Sequence, residues 1–330
     1  MSDAAWNSGG FAILVVAIAL LVIVARRWLA TPHAGKSAAA PVPHAPATKA
    51  TLGEYEIEGE LAQGAMGAVC RGRDPRTGRV AAIKTLVPSE KLAPAEQEAA
   101  RQRFFREVEA AQRLVHPGIV GVYGAGEEGG ICYIAMELVE GTDLAAHAKQ
   151  GALLPPATVL SIIERVAEAL AYAHGMGVVH RDIKPANILY SAKTDTVKVA
   201  DFGIAHSAEP SLSRMGAARG TPSYMSPEHL AGRSVDGRSD IYSLGVTLYQ
   251  LLSGRLPFEG ESMTQLTAAI ANEPHRPVRQ RNAALPAGVD AIVDRTLAKD
   301  AAQRFQTGSE LAHAIRLVRM DVGAAADAAA

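Results

Sequence analysis

The pattern of apolar and polar positions divides the chain into an apolar run, a proline-containing stretch and a long region of short periodic segments. Residues 11–25 contain no charged or strongly polar side chain, and Trp6 and Trp28, the only tryptophans, flank this run. Fifteen helical residues span only about 22 Å, so the run matches a hydrocarbon core of about 30 Å only when it is extended to residue 29. We therefore predict a single transmembrane helix at residues 11–29.

Charged residues around this run predict its orientation. Arg26 and Arg27 follow it directly, whereas residues 1–10 carry only Asp3 and the amino terminus. The positive-inside rule then places the carboxyl side in the cytoplasm and residues 1–10 outside it. A signal peptide would have positive charge before the run and a small-residue cleavage site after it, so an anchor is favoured over a signal peptide or a buried helix. We expect a single-pass protein of the inner membrane whose folded region is cytoplasmic.

The segment after the anchor has the composition of a linker, and a folded region follows it. Residues 30–54 include four prolines among Ala, Ser, Thr and His, which predicts an extended connection. From Tyr55 onward, alternating runs predict short strands, and a helix follows whose apolar positions have helical spacing. The predicted strands are 55–61, 80–84, 119–123 and 131–136, and the helical stripe is Phe104, Val108, Ala111 and Val115.

Net charge and cysteine content bear on the binding partners and on the compartment of the chain. The net charge is −1 and the pI is near 6.8, so no electrostatic argument supports nucleic-acid binding. Cys70 and Cys132 are the only cysteines and lie far apart. With no framework of disulfides, a reducing compartment is expected for the folded region.

Groups suited to phosphate chemistry are concentrated in one stretch. Asp182, Lys184, Asn187 and Asp201 supply two carboxylates, one ammonium and one carboxamide on loops that flank a short apolar hairpin. Holding a phosphate, a divalent cation and a hydroxyl nucleophile requires opposing charges that are fixed in advance. Upstream, Lys84 ends an apolar strand, which is costly unless the lysine finds a carboxylate, and Glu107 on the following helix is the candidate partner.

These motifs resemble those of one enzyme family. Residues 180–187, HRDIKPAN, and residues 201–203, DFG, are similar to the catalytic loop and the Asp-Phe-Gly loop of protein kinases. Residues 55–319 as a whole resemble eukaryotic-like (Hanks-type) bacterial serine/threonine kinases. The resemblance implies an α+β bilobal fold. Its expected parts are a kinase domain at 55–320, made of a small β-rich lobe with one key helix (55–136), a hinge (137–142) and a mainly helical lobe (143–320), and then a frayed tail at 321–330.

The resemblance also implies roles for individual residues in binding ATP and Mg²⁺, with Mn²⁺ as a plausible substitute. Asp182 would accept or orient the substrate hydroxyl proton, Lys184 would neutralise the transferred phosphoryl group, and Lys84 oriented by Glu107 would hold the nucleotide. Asn187 and Asp201 would bind the metal. The implied ATP-binding set is Leu61, Ala62, Gly64, Gly67, Val69, Lys84, Met136, Glu137 and Val139. Ala62 departs from the family pattern, which has a glycine there.

Further positions imply specificity, regulation and structural support. Lys184 and Thr221 match serine/threonine kinases rather than tyrosine kinases. Residues 204–220 resemble an activation segment, and we expect autophosphorylation on Ser211 or Ser213, with Arg181 receiving the phosphate. Asp240 would hold the backbone of the catalytic loop. Glu228 and Arg304 would form a buried ion pair.

The sequence therefore predicts a protein kinase whose partners are protein substrates with Ser or Thr acceptors and the membrane, with a homodimer for autophosphorylation as a possible arrangement. An alternative is a catalytically silent, kinase-like scaffold that binds nucleotide. Such scaffolds typically lose the equivalents of Lys84, Asp182 or Asp201, and all three are present here. A small-molecule phosphotransferase is disfavoured by residues 220–228, which resemble a peptide-binding signature.

Overall fold

The computed structural model describes residues 50–64, 67–86, 93–202 and 222–327. The predicted extracytoplasmic residues 1–10, the predicted transmembrane helix at 11–29 and linker residues 30–49 lie outside this part of the chain. Within the described ranges, no helix has both the length and the apolar character needed to cross a membrane.

The amino-terminal lobe consists of one antiparallel sheet and one helix. The six strands are ordered β1-β2-β3-β4-β6-β5. Their bounds are β1 (Thr51–Leu52), β2 (Tyr55–Gly64), β3 (Gly67–Arg73), β4 (Val80–Leu86), β5 (Val122–Glu128) and β6 (Ile131–Glu137), and the helix is α1 (Pro94–Gln112). Alternating apolar residues bury one face of the sheet against α1, where Phe104 and Val108 pack on Ile134 and Met136.

Both ends of α1 have local causes. Pro94 occupies the first turn, where its missing amide costs nothing, and the Glu96 carboxylate accepts a hydrogen bond from the Ala93 amide at 3.1 Å. The helix ends at Gln112, earlier than the predicted stripe. Val115 is 82% exposed and its amide bonds to the Tyr172 hydroxyl at 3.1 Å. Pro117 disfavours helical backbone in the residue before it, so the helix ends before the last apolar residue of the predicted stripe.

Strands β2, β4 and β6 extend one to three residues beyond their predicted ends, and two larger differences from the sequence prediction involve β1 and β5. Strand β1 lies in the predicted linker and forms a hairpin with β2, because Gly53 adopts a left-handed φ of 57° in the turn between them. Strand β5 starts at Val122 instead of residue 119. Ile119 and Val120 leave the sheet and bond to the carboxyl-terminal lobe, where the Val120 amide donates to the Val199 carbonyl at 2.9 Å.

The carboxyl-terminal lobe is mainly helical around a buried central helix. Its α-helices are α2 (Pro156–Gly175), α3 (Pro227–Leu230), α4 (Gly237–Ser253), α5 (Met263–Asn272), α6 (Gly288–Thr296) and α7 (Gly308–Asp327). Short 3₁₀ helices occupy Leu144–His147, Pro185–Asn187, Pro222–Tyr224, Val278–Gln280 and Ala301–Gln303. Helix α4 is buried on nearly all sides, as its run of Ile, Tyr, Leu and Val requires. The predicted two-lobed α+β architecture is confirmed.

Helix α7 continues through residue 327, into the segment predicted as a frayed tail. Its last described turns contain Ala324, Ala325 and Ala326, and alanine has the highest intrinsic helix propensity. Farther back, Arg316 joins α7 to Glu164 of α2 at 2.7 Å.

A small antiparallel sheet, in the order β7-β8-β9, positions the site. Its strands are β7 (Thr142–Asp143), β8 (Ile188–Ser191) and β9 (Thr196–Val199). Ile188 pairs with Val199, so the residues just before β8 and just after β9 lie at the same end of the hairpin. This register brings Asn187 and Asp201 to one place.

Candidate active site

The loop at residues 180–187 is held from behind by one buried carboxylate. Asp240, on α4, is fully buried and accepts hydrogen bonds from the His180 amide at 2.8 Å and the Arg181 amide at 2.7 Å. The His174 ring contacts the same carboxylate at 2.8 Å. Arg181 has a left-handed φ of 68°, a conformation that persists only where surrounding contacts impose it. Asp240 supplies those contacts.

His180 links this loop to the segment before Asp201. Its Nδ1 accepts a hydrogen bond from the Asp182 amide at 3.2 Å, so the network assigns the ring proton to Nε2, which donates to the Ala200 carbonyl at 2.8 Å. The ring also packs edge-on against Phe202, with centroids 4.7 Å apart. The fully buried His180 side chain therefore fixes the spacing between the two loops.

Three of the predicted site residues, the catalytic pair Asp182 and Lys184 and the metal ligand Asn187, form one cluster. Lys184 Nζ donates to Asp182 Oδ2 at 2.7 Å, and Asn187 Nδ2 donates to the same oxygen at 3.0 Å. Asn187 Nδ2 also donates to the backbone carbonyl of Asp182 at 2.7 Å. About a quarter of the Asp182 side chain is exposed, so its carboxylate is oriented and still reachable from solvent.

Asp201 lies at the edge of this cluster and contacts Lys84. Lys84 Nζ donates to Asp201 Oδ2 at 2.7 Å, joining the amino-terminal lobe to the carboxyl-terminal lobe. Asp201 also has a left-handed φ, of 63°. A left-handed conformation costs a non-glycine residue about 1–3 kcal/mol, and this site contains two such residues, Arg181 and Asp201. Strained backbone of this kind is concentrated at functional sites.

The predicted pairing of Lys84 with Glu107 is wrong in this structure. Lys84 bonds to Asp201, and the Oε2 atom of Glu107 is buried without a hydrogen-bond partner among the described residues. Lys84, which lies two residues before the end of β4, does find a carboxylate, as the cost of burying a charge requires, but this carboxylate follows β9 instead of lying on α1.

The glycine turn predicted to cover phosphates is a hairpin between β2 and β3. Gly64 pairs with Gly67, and Ala62 pairs with Val69 beside a bulge in β2. Gly67 has a φ of 149°, and a Cβ there would lie 2.0 Å from the Thr85 carbonyl oxygen. Glycine is therefore required at 67 by the close approach of β4, whatever the loop binds.

The predicted hinge follows β6. Met136 is buried and lines a cavity of about 10 Å³, room for a single water, together with Asp201 and Phe202. The Glu137 amide donates to the Gly121 carbonyl at 2.7 Å. Of the other predicted ATP-binding residues, Leu61 is 49% exposed and Val139 is half-buried.

The donor set fits a hard divalent cation. Both hydrogens of the Asn187 amide nitrogen bond to Asp182, which leaves the amide oxygen for a cation, and Asp201 adds a carboxylate. Oxygen ligands of this type suit Mg²⁺, which usually takes one or two protein ligands together with phosphate oxygens. In the described ranges, no group of three His, Cys, Asp or Glu side chains is placed to hold a metal.

The structure brings together the predicted Glu228–Arg304 pair. Arg304 is 1% exposed and donates to both carboxylate oxygens of Glu228 at 2.8 Å. Burial raises the pKa of Glu228, but the hydrogen bonds from Arg304 and Ser239 outweigh it and lower that pKa to about 2.

Two residues were not predicted from the sequence to belong to the site: His174, which contacts the Asp240 carboxylate, and Lys198, which donates a hydrogen bond to Glu137. A lysine inside the apolar run VKVA was the available signal for Lys198. The predicted activation-segment residues Ser211, Ser213 and Thr221 lie outside the described residues.

Comparisons with known proteins agree with this geometry. Residues 55–315 match the family model for the protein kinase domain. Serine/threonine-protein kinase PknB of Mycobacterium leprae is 40% identical over 263 residues, which cover 78% of this chain and 42% of that protein. Serine/threonine-protein kinase pkn3 of Myxococcus xanthus is 40% identical over 262 residues, covering 76% and 47%. The chain thus spans less than half the length of these relatives. The crystal structure of the Mycobacterium tuberculosis PknI kinase domain matches with a TM-score of 0.67 and 34% identity, covering 83% of this chain and 100% of that one.

Proposed function

We propose that this chain, which belongs to the protein kinase family and carries a bacterial serine/threonine (Hanks-type) kinase domain, transfers the γ-phosphoryl group of ATP to Ser or Thr hydroxyls of proteins. The observation that carries the proposal is the Asp182 carboxylate, which Lys184 and Asn187 hold on a loop pinned by Asp240. Nucleotide binding alone needs no carboxylate oriented in this way.

Each residue has a defined part in the proposed transfer. The acceptor hydroxyl oxygen attacks the γ-phosphorus, the bond to the β,γ-bridging oxygen breaks, and the hydroxyl proton passes to Asp182. Lys184 and Lys84 place positive charge against the phosphate oxygens, where charge develops in the transition state. Asn187 and Asp201 would hold Mg²⁺, which neutralises phosphate charge when bound.

A matched pair of variants tests this function. With Mg-ATP and a generic protein acceptor, the full-length wild-type chain should transfer phosphate, and Asp182→Asn should lower the rate by about 10²–10⁴. The same substitution at Asp195 is the control, because that side chain is 77% exposed and its φ of 48° is well tolerated by asparagine. Equal transfer by wild type and Asp182→Asn would refute the assigned role of Asp182. Nucleotide binding by wild type without any transfer would favour the scaffold alternative.

We also propose autophosphorylation on Ser211 or Ser213. In support, the Arg181 side chain is exposed and makes no ion pair with any residue in the described ranges, so it is available to a phosphate. Peptide mass mapping after incubation with ATP should show added phosphate in residues 204–220, and an unmodified peptide would contradict the proposal. Labelling of an Asp182→Asn chain by added wild type would demonstrate transfer between two copies.

The proposed location is the inner membrane, with the kinase domain in the cytoplasm. The apolar residues 11–29 and the adjacent Arg26 and Arg27 support it. Protease added to intact spheroplasts should leave the kinase domain uncut and digest it only after lysis. Digestion from outside the cells would refute this orientation.

A further inference from the structure

A polar cluster joins the start of the hinge to strand β9. Lys198 Nζ donates to Glu137 Oε2 at 2.9 Å and lies 3.3 Å from the Ile119 carbonyl. The same Glu137 oxygen accepts a hydrogen bond from the Gly121 amide at 3.1 Å. Only 15% of the Lys198 side chain and 31% of the Glu137 side chain are exposed, so this ion pair is largely shielded from solvent.

The cluster connects three segments that serve different parts of the site. Glu137 ends β6 and begins the predicted hinge, residues 118–121 lead from α1 to β5, and Lys198 lies three residues before Asp201. The ion pair therefore links the predicted hinge, which contains residues of the implied ATP-binding set, to the strand that leads to the carboxylate proposed to hold the metal.

Backbone hydrogen bonds hold both sides of the cluster, and the ion pair is a side-chain contact between them. Strand β9 keeps its place through backbone hydrogen bonds, from the Val120 amide to the Val199 carbonyl at 2.9 Å and from the Val199 amide to the Gly118 carbonyl at 2.8 Å. Among the described residues, the Glu137 carboxylate accepts hydrogen bonds from Lys198 and the Gly121 amide, while the Glu137 amide donates to the Gly121 carbonyl at 2.7 Å. Removal of the ammonium would leave a partly buried carboxylate without its counter-charge, a strong reason for this residue to move.

We infer that Lys198 is a positioning residue for nucleotide binding, because it fixes the Glu137 carboxylate and with it the hinge segment against β9. This inference rests on the proposed function, since it takes the nucleotide to be ATP and the hinge to hold its base. It assigns Lys198 no contact with the phosphates. Loss of Lys198 should therefore weaken nucleotide affinity much more than it slows the chemical step.

The experiment uses the full-length chain in detergent, with ADP and Mg²⁺ as the binding probe. Lys198→Met should raise the Kd for ADP and the KM for ATP by about tenfold, the effect of losing one charge-assisted contact, with kcat little changed. Lys198→Arg should restore both constants to within about threefold of wild type, because a guanidinium also donates to a carboxylate. Lys193→Met removes the same charge from the exposed turn of the same hairpin and should leave all three constants unchanged.

A second variant separates this role from damage to the fold. Glu137→Gln keeps the side-chain size and should raise the Kd for ADP in the same direction. The Lys198→Met/Glu137→Gln double variant should be no weaker than the weaker single variant, because both changes break one contact. A wild-type Kd in Lys198→Met, additive effects in the double variant, or a fall in kcat at constant KM would each overturn the inference. Failure of wild type to bind ADP would instead refute the proposed function.

Discussion

The ion pair between Glu228 and Arg304 gives the most direct prediction of stability. Its carboxylate is 14% exposed and its guanidinium is fully buried. Arg304→Met keeps much of the volume of the arginine and removes its charge, leaving the Glu228 carboxylate without its main partner. The chain should then lose free energy of unfolding, because an unpaired buried charge costs more than the pair.

The pKa of Glu228 sets the size of the effect. It is lowered from its ordinary value of 4.5 to about 2. That difference corresponds to about 3 kcal/mol at 1.36 kcal/mol for each pKa unit. Because the folded-state pKa lies below the unfolded one, the stabilisation is complete above about pH 4.5 and is lost as the pH falls toward 2. The gap between wild type and Arg304→Met should therefore be near its maximum at pH 7 and shrink below pH 4.5.

The assay is urea unfolding of the full-length chain between pH 8 and pH 3.5, monitored by circular dichroism. Tryptophan fluorescence is unsuitable, because Trp6 and Trp28 both precede the kinase domain. Arg233→Met, at an exposed position near the pair, is the control and should change the free energy of unfolding by less than about 0.5 kcal/mol. A loss below about 1 kcal/mol for Arg304→Met at pH 7, or a loss constant down to pH 3.5, would refute the reasoning.

Three further predictions concern single side chains. Tyr242→Phe should leave the free energy of unfolding unchanged or raise it, because the buried Tyr242 hydroxyl has no partner among the described residues. Tyr224→Phe should instead lower the free energy of unfolding by about 1 kcal/mol, because it removes the hydrogen bond to Gln250. Urea unfolding midpoints compare the two variants, and a large fall in the free energy of unfolding of Tyr242→Phe would contradict the prediction. Asp240→Asn should lower the free energy of unfolding by about 1–3 kcal/mol and also lower kcat, because an amide cannot accept hydrogen bonds from all three groups that now donate to the Asp240 carboxylate. An unchanged kcat would contradict this prediction. Gly67→Ala should raise the KM for ATP by displacing β3 from β4, and an unchanged KM would contradict that displacement.

Sequence pattern predicted the architecture because local periodicity and long-range motifs agree in this chain. The alternating runs from Tyr55 place β2, β4 and β6 within a few residues of their observed bounds. The error at the start of β5 has a clear physical cause. An apolar pattern does not show which neighbour will bury a residue, and Ile119 is buried against β9 instead of extending β5.

The components of the site were predictable from residue types, but their contacts were not. Asp182, Lys184 and Asn187 lie within one short loop, so their spacing nearly fixes their proximity. Lys198 and Glu137 are 61 residues apart, and no local rule connects them. Contacts of that kind depend on how the two lobes pack, which a single sequence read for periodicity does not contain.

The partner of Lys84 also shows that the sequence predicts which residues form the site but not which of them contact each other. A strand-end lysine needs a carboxylate, and two carboxylates from different elements satisfy that need: Glu107 on α1 and Asp201 after β9. Either carboxylate would satisfy the rule that a buried charge must be paired. The rule therefore predicts that Lys84 has a partner but does not say which one. In the structure Lys84 bonds to Asp201 at 2.7 Å, and the Glu107 Oε2 atom has no hydrogen bond in the described part of the chain.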